Sequence, residues 1–85
     1  MKEIIQFVNF EDVKKRVKVK SIRYWQTSRY VGYEAKTNYG TIWNNGDGCG
    51  SFFEPTPENG ALRNVINEDM CEKLIDIYEG VNDEN

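Results

Sequence analysis

Tyr39-Gly40-Thr41-Ile42-Trp43-Asn44-Asn45-Gly46-Asp47-Gly48-Cys49-Gly50-Ser51-Phe52-Phe53 is the stretch on which the reading of this chain turns. A short β-branched and aromatic run, Thr41-Ile42-Trp43, enters a loop with alternating glycines and leaves it through two phenylalanines. Glycine reaches positive φ without steric penalty but loses the most entropy on ordering. Three glycines at alternate positions therefore mark backbone that needs unusual geometry or a close approach.

Working backwards from this loop, Asn38-Tyr39-Gly40 has the chemistry of a tight connection, since Asn and Gly tolerate φ > 0. Before it, residues 30–37 alternate, with Val31, Tyr33 and Ala35 on one face and Glu34 and Lys36 on the other. Gln26-Thr27-Ser28 reads as a loop, and Val17-Lys18-Val19-Lys20 alternates apolar and cationic residues with the period of a strand. Val17 and Val19 share a face that Ile22 and Tyr24 do not, so the strand over 17–25 calls for a bulge near Ser21 or for cover on both faces. Residues 3–10 read as a strand or as the lead-in to a helix. Asn9 suits a helix cap, with Glu11 and Asp12 near the positive end.

Working forwards, Phe52-Phe53-Glu54-Pro55 reads as a short edge segment ended by proline. Thr56-Pro57-Glu58 has the grammar of a helix start, and Leu62, Val65 and Ile66 follow, although Gly60 weakens the segment. Asn67-Glu68-Asp69 restarts a helix whose apolar face is read as Met70, Leu74, Ile77 and Tyr78, with Gly80 as C-cap. The predicted class is α+β: a small antiparallel meander of about three strands with one or two C-terminal helices packed on it. Residues 1–80 form a single domain, and 81–85 are read as a frayed tail.

The chain has 85 residues, no histidine, two cysteines and a net charge of −3. A domain this small is marginally stable without a supplement. Two cysteines do not make a disulfide framework, and without histidine or a Cys-x-x-Cys pair no metal site is expected. Oligomerisation is the supplement that remains, so a homo-oligomer is expected. Met1-Lys2-Glu3-Ile4-Ile5 lacks a signal-peptide apolar core, and no run approaches the ~20 apolar residues of a membrane span. The expected location is the cytoplasm, the host's if a phage encodes the protein, with no membrane partner.

Charge is unevenly placed. Lys14, Lys15, Arg16, Lys18, Lys20, Arg23 and Arg29 crowd the first third, whereas acids from Glu54 to Glu84 far outnumber Arg63 and Lys73. This polarity fits a basic, aromatic binding face balanced by an acidic helix. A nucleic-acid partner is disfavoured, because the acidic third would repel the same polyanion.

Alternating glycines after a strand expose successive backbone N–H groups, and such nests bind phosphate. No Gly-Lys-Ser/Thr follows and no helix opens directly behind, so the loop is neither a Walker A motif nor a dinucleotide fingerprint. Asn44, Asn45 and Asp47 supply oxygens without the acidic pattern of an EF-hand. Asp47 and Glu54 are too loosely related to define an acid–base pair, and no cation flanks Cys49 to activate it. An enzyme is not expected, nor any cofactor. Tyr24, Trp25, Tyr30, Tyr33, Tyr39, Trp43, Phe52 and Phe53 exceed what a small core needs, and the surplus suits stacking on a base. The candidate ligand-binding set is Arg23, Trp25, Arg29, Tyr33, Trp43, Asn45, Gly46, Asp47, Gly48, Gly50 and Phe52. The loop cannot be a complete phosphate site, so it forms one wall of a shared pocket or is only a sharp turn.

Residues 17–54 resemble small phage, plasmid and prophage accessory proteins in which two strands and a tight turn lead to an Asn-[Asn/Asp]-Gly-rich segment, aromatics and a C-terminal helix. Here the carriers are Trp43-Asn44-Asn45-Gly46-Asp47-Gly48-Cys49-Gly50, with Cys49 where glycine is more usual. The resemblance implies an anti-defence setting. One expected activity is non-enzymatic sequestration of a nucleotide-like anionic signal in a pocket shared between subunits. The alternative is an acidic inhibitor of a host protein, acting through Glu68, Asp69, Glu72, Asp76 and Glu79, and a second alternative is a small nucleic-acid-binding module.

Overall fold

The computed structural model describes Phe7 and residues 9–80. Most of the stretch 3–10 and the whole tail 81–85, with the strand, lead-in and frayed end expected there, lie outside the described residues.

Helix α1, Phe10–Arg16, starts at a capping box: Asn9 Oδ1 accepts from Asp12 N at 3.1 Å, and the Asp12 carboxylate accepts from Asn9 N. It ends where β-branched residues begin, Val17 being extended. Asn38, from a turn of the sheet, closes this end: Nδ2 donates to Arg16 O and Oδ1 accepts from Lys18 N. Val13 and Val17, one helical turn apart, are both buried.

Four strands follow: β1 (Val19–Gln26), β2 (Val31–Thr37), β3 (Gly40–Asn44) and β4 (Ser51–Pro55). They pair antiparallel in sequence order. The α+β meander is therefore as expected, with one strand more: Phe52-Phe53-Glu54-Pro55 is a full partner of β3, because Phe53 faces the core opposite Ile42. The register shifts between Val19 and Ser21, where a bulge was expected. The shift lets Val19 and Ile22 both pack against the core.

Residues 57–66 do not form the expected α-helix. Pro57–Asn64 is a 3-10 segment with non-helical backbone at Asn59, one residue before Gly60, and it tucks Leu62 against the core. Helix α2, Glu68–Glu79, is capped by Asn67 Oδ1 on Met70 N and by Gly80 in the left-handed conformation. Its buried side is Cys71, Leu74 and Ile75; of the expected Met70–Leu74–Ile77–Tyr78 stripe Leu74 is buried, Met70 packs partly against the core, and Ile77 and Tyr78 do not bury. Ile77 and Tyr78 remain about half exposed. Among the described residues no helix is long and apolar enough to cross a membrane.

Both helices and the 3-10 segment gather on one side of the sheet. The inner face carries Ile22, Tyr33, Ala35, Ile42 and Phe53, which join Val13, Val17, Leu62, Ile66, Cys71, Leu74 and Ile75 in the core. Strand alternation sends the intervening side chains to the opposite, outer face.

Candidate functional site

The outer face is a grid set by register. Its middle row reads Arg23, Glu34, Trp43, Phe52 across the strands, and the row beside it reads Ser21, Lys36, Thr41, Glu54. Trp25 lies opposite Gly32. That glycine is needed there, because a Cβ would come within 2.5 Å of Trp25 Nε1 and 2.7 Å of Asn44 O. The Nε1 edge of the indole therefore lies close against the β2 backbone at Gly32.

Arg23 Nε donates to Glu34 Oε1 at 2.6 Å, and the guanidinium stands 5.3 Å from the Trp25 ring centroid. Its side chain is still 71% exposed. Trp43 Nε1 donates to Glu54 Oε1 at 3.0 Å, and Phe52 is 46% exposed. A shallow depression of about 410 Å³ opens between Ser21, Ile22, Arg23, Glu34 and Lys36. It is bordered by two cations, and Glu34 on its rim lies opposite Trp43 across the strands.

Of the residues singled out from the sequence, Arg23, Trp25, Trp43 and Phe52 thus share one open surface. Tyr33 points to the other side. Its hydroxyl lies within reach of Ser51 Oγ (2.5 Å) and Glu72 Oε2 (3.2 Å), and Ser51 Oγ donates to the same carboxylate oxygen at 2.5 Å. Burial, reinforced by the Glu72 charge, pushes the Tyr33 phenol up from its ordinary range. Tyr24, also inward, donates to Glu79 Oε2, and burial followed by that contact raises its pKa to about 12. These contacts tie α2 to the sheet.

The glycine loop sits at one end of the sheet. Gly46, Gly48 and Gly50 all have positive φ, as their alternation implied. Two of the loop's N–H groups are already occupied: Gly46 N donates to Asn44 Oδ1 at 2.9 Å and Cys49 N to Asp47 Oδ1 at 3.0 Å. Thr27 Oγ1 donates to Gly46 O at 2.8 Å, which pins the loop to the β1–β2 turn. A Cβ at Gly48 would press on the Tyr30 ring, and one at Gly50 on the Glu68 carboxylate. The loop joins β3 to β4 with two of its donors capped and the Glu68 carboxylate against Gly50. Asn45 and Asp47 lie on it, and Arg29 is exposed in the β1–β2 turn.

The acids of α2 are mostly engaged within the protein. Glu72 and Glu79 meet the tyrosines, and Asp69 pairs with Lys73 Nζ at 3.2 Å. Among the described residues no group of three or more His, Cys, Asp or Glu side chains is arranged to hold a metal ion. Sequence reasoning did not single out Glu34, Lys36 and Glu54 for the site. Their signal was present, since each alternates with core residues on the same strand as an outer-face neighbour.

No protein-family model, curated protein or solved structure matches this chain.

Proposed function

We propose that this chain is a non-enzymatic binding protein that takes a nucleotide-like anionic ligand on the outer face of its sheet. The observation that carries this reading is the outer-face row of Arg23, Glu34, Trp43 and Phe52, over which no described helix packs, bordered by the depression at Lys36. Phosphate suits the depression, where Arg23 keeps N–H groups beyond the one spent on Glu34 and Lys36 adds a second cation. A base suits the Trp43 and Phe52 surface, where stacking is worth about 1–3 kcal/mol per base.

Binding without turnover is supported by the engagement of the outer-face carboxylates, Glu34 on Arg23 and Glu54 on Trp43. In the phage-accessory setting that the resemblance implies, such a protein would withdraw a nucleotide immune signal. Calorimetric titration with ADP-ribose tests this. The expected result is stoichiometric, salt-sensitive binding, weakened by Trp43→Ala and Arg23→Ala, with the ligand released unchanged on heating. Absence of binding contradicts the reading, and a modified nucleotide on release would identify an enzyme instead.

A further inference from the structure

We propose that the free edge of β1 pairs antiparallel with β1 of a second copy, joining the two sheets and setting Arg23 of each copy against the partner's Trp25. This goes beyond the nucleotide reading and does not depend on it.

Among the described residues β1 is hydrogen-bonded on one side only, to β2. At eight residues it is a long edge strand. Soluble proteins blunt such edges with short strands, proline, bulges, lysine or a covering element. The other edge strand, β4, is treated in this way: it is five residues long, ends in Pro55 and has the 3-10 segment packed against it. The first part of β1 is treated too. It carries the register shift between Val19 and Ser21, the intervening Lys20, and the Tyr78 hydroxyl donating to Lys20 O at 3.3 Å. Among the described residues, 22–26 carry no such device apart from the charge of Arg23, which is paired with Glu34. They run in unbroken register with β2, contain no proline, and among the described residues no side chain from another element hydrogen-bonds their backbone.

A symmetric antiparallel pairing that uses all of 22–26 is centred on Tyr24. It places Ile22 opposite the partner's Gln26 and Arg23 opposite the partner's Trp25. Directly opposed side chains on one face approach to about 4.5–5.5 Å between Cβ atoms. Arg23 already stands over its own Trp25 with most of its side chain exposed, so the partner's indole completes a second cation–π contact. Two-fold symmetry repeats the contact. Centring on Arg23 would instead oppose two guanidinium groups, and a shift of one residue would turn the helix layers to opposite sides of the joined sheet. No like charges oppose each other across 22–26 in the Tyr24-centred register. Arg23 is the like-charged group nearest the axis, diagonal to the partner's Arg23 at about 7–8 Å, so moderate salt should favour pairing. The outer faces then run together, and the Arg23 and Trp25 side chains of both copies meet at the seam.

The test uses the ligand-free wild-type protein in sedimentation and hydrogen-exchange measurements across a concentration series. The expected result is a dimer in which amides within 22–26 gain protection as concentration rises, while those of 51–55 do not. Arg23→Glu should raise the dimer dissociation constant by about tenfold or more. If this variant does not fold, the wild-type exchange result decides alone. A monomer at every concentration, a dimer protected elsewhere, or a folded Arg23→Glu variant that dimerises unchanged would overturn the proposal.

Discussion

The two faces of the sheet use the same chemistry to different ends. Each pairs aromatic or basic side chains with carboxylates. On the inner face the partners come from different layers: Tyr24 with Glu79, and Tyr33 with Ser51 and Glu72. On the outer face both members belong to the sheet: Arg23 with Glu34, and Trp43 with Glu54. Inner contacts therefore fasten α2 onto the strands, whereas outer contacts stay within the sheet, with Arg23 and Phe52 exposed and Trp25 and Trp43 partly buried. An aromatic that secures a second layer contributes to folding. One paired only within the sheet fastens no second layer.

Adjacent residues on β4 offer the most direct way to break this contrast. Phe53 is 3% exposed and Phe52 is 46% exposed. Phe53→Ala should cost about 3–5 kcal/mol in urea unfolding, because it empties a packed core position. Phe52→Ala should cost about 1 kcal/mol, in line with half-burial of its ring. Equal losses would mean that the outer face is also structural. A smaller contrast separates the polar pairs. Tyr33→Phe leaves buried acceptors short of a donor and should cost about 1–3 kcal/mol, whereas Trp43→Phe, losing an exposed hydrogen bond, should cost about 0.5 kcal/mol.

Alkaline pH sharpens the same distinction. Tyr24 and Tyr33 both have folded-state pKa values above the ordinary value of 10. The neutral phenol is therefore favoured by folding, and its contribution is intact below pH 10. For Tyr24 that contribution disappears as pH rises towards 12. Tyrosinate absorbance from these two rings should appear together with loss of circular dichroism, and Tyr24→Phe should remove part of the alkaline destabilisation. The smallest effect concerns the thiols. Cys71 is buried, and burial raises its pKa to about 12, while Cys49 is exposed in the loop. A disulfide reagent should label one thiol rapidly in the native protein and the second only on unfolding.

Strand periodicity makes the meander legible in the amino-acid sequence. Alternation over 30–37 defines the faces of β2, and the clash of phase between Val19 and Ile22 locates the register shift of β1. The fourth strand is less visible because Pro55 closes it after only a few residues, yet Phe53 gains its partner, Ile42, across the sheet. Local pattern misjudges α2. Its apolar residues nearly ring the helix, and the buried side is chosen by which of them meet the sheet.

The site is half legible for a related reason. Alternation places Trp43 and Phe52 outward, but the glycines at 46, 48 and 50 draw attention to a loop in which Asn44 and Asp47 already cap two donors. Those hydrogen bonds are local side-chain matters that a glycine pattern does not reveal. Tyr24 and Tyr33 look like surplus stacking rings because their carboxylate partners lie 55 and 39 residues away in sequence.

The claim that the outer face is the working surface is tested most directly by an amide NMR titration with ADP-ribose. The account predicts shift changes concentrated at Arg23, Glu34, Lys36, Trp43 and Phe52, with the indole N–H of Trp43 among the largest. Changes confined to 45–50 or to α2, or no changes at millimolar ligand, would contradict it.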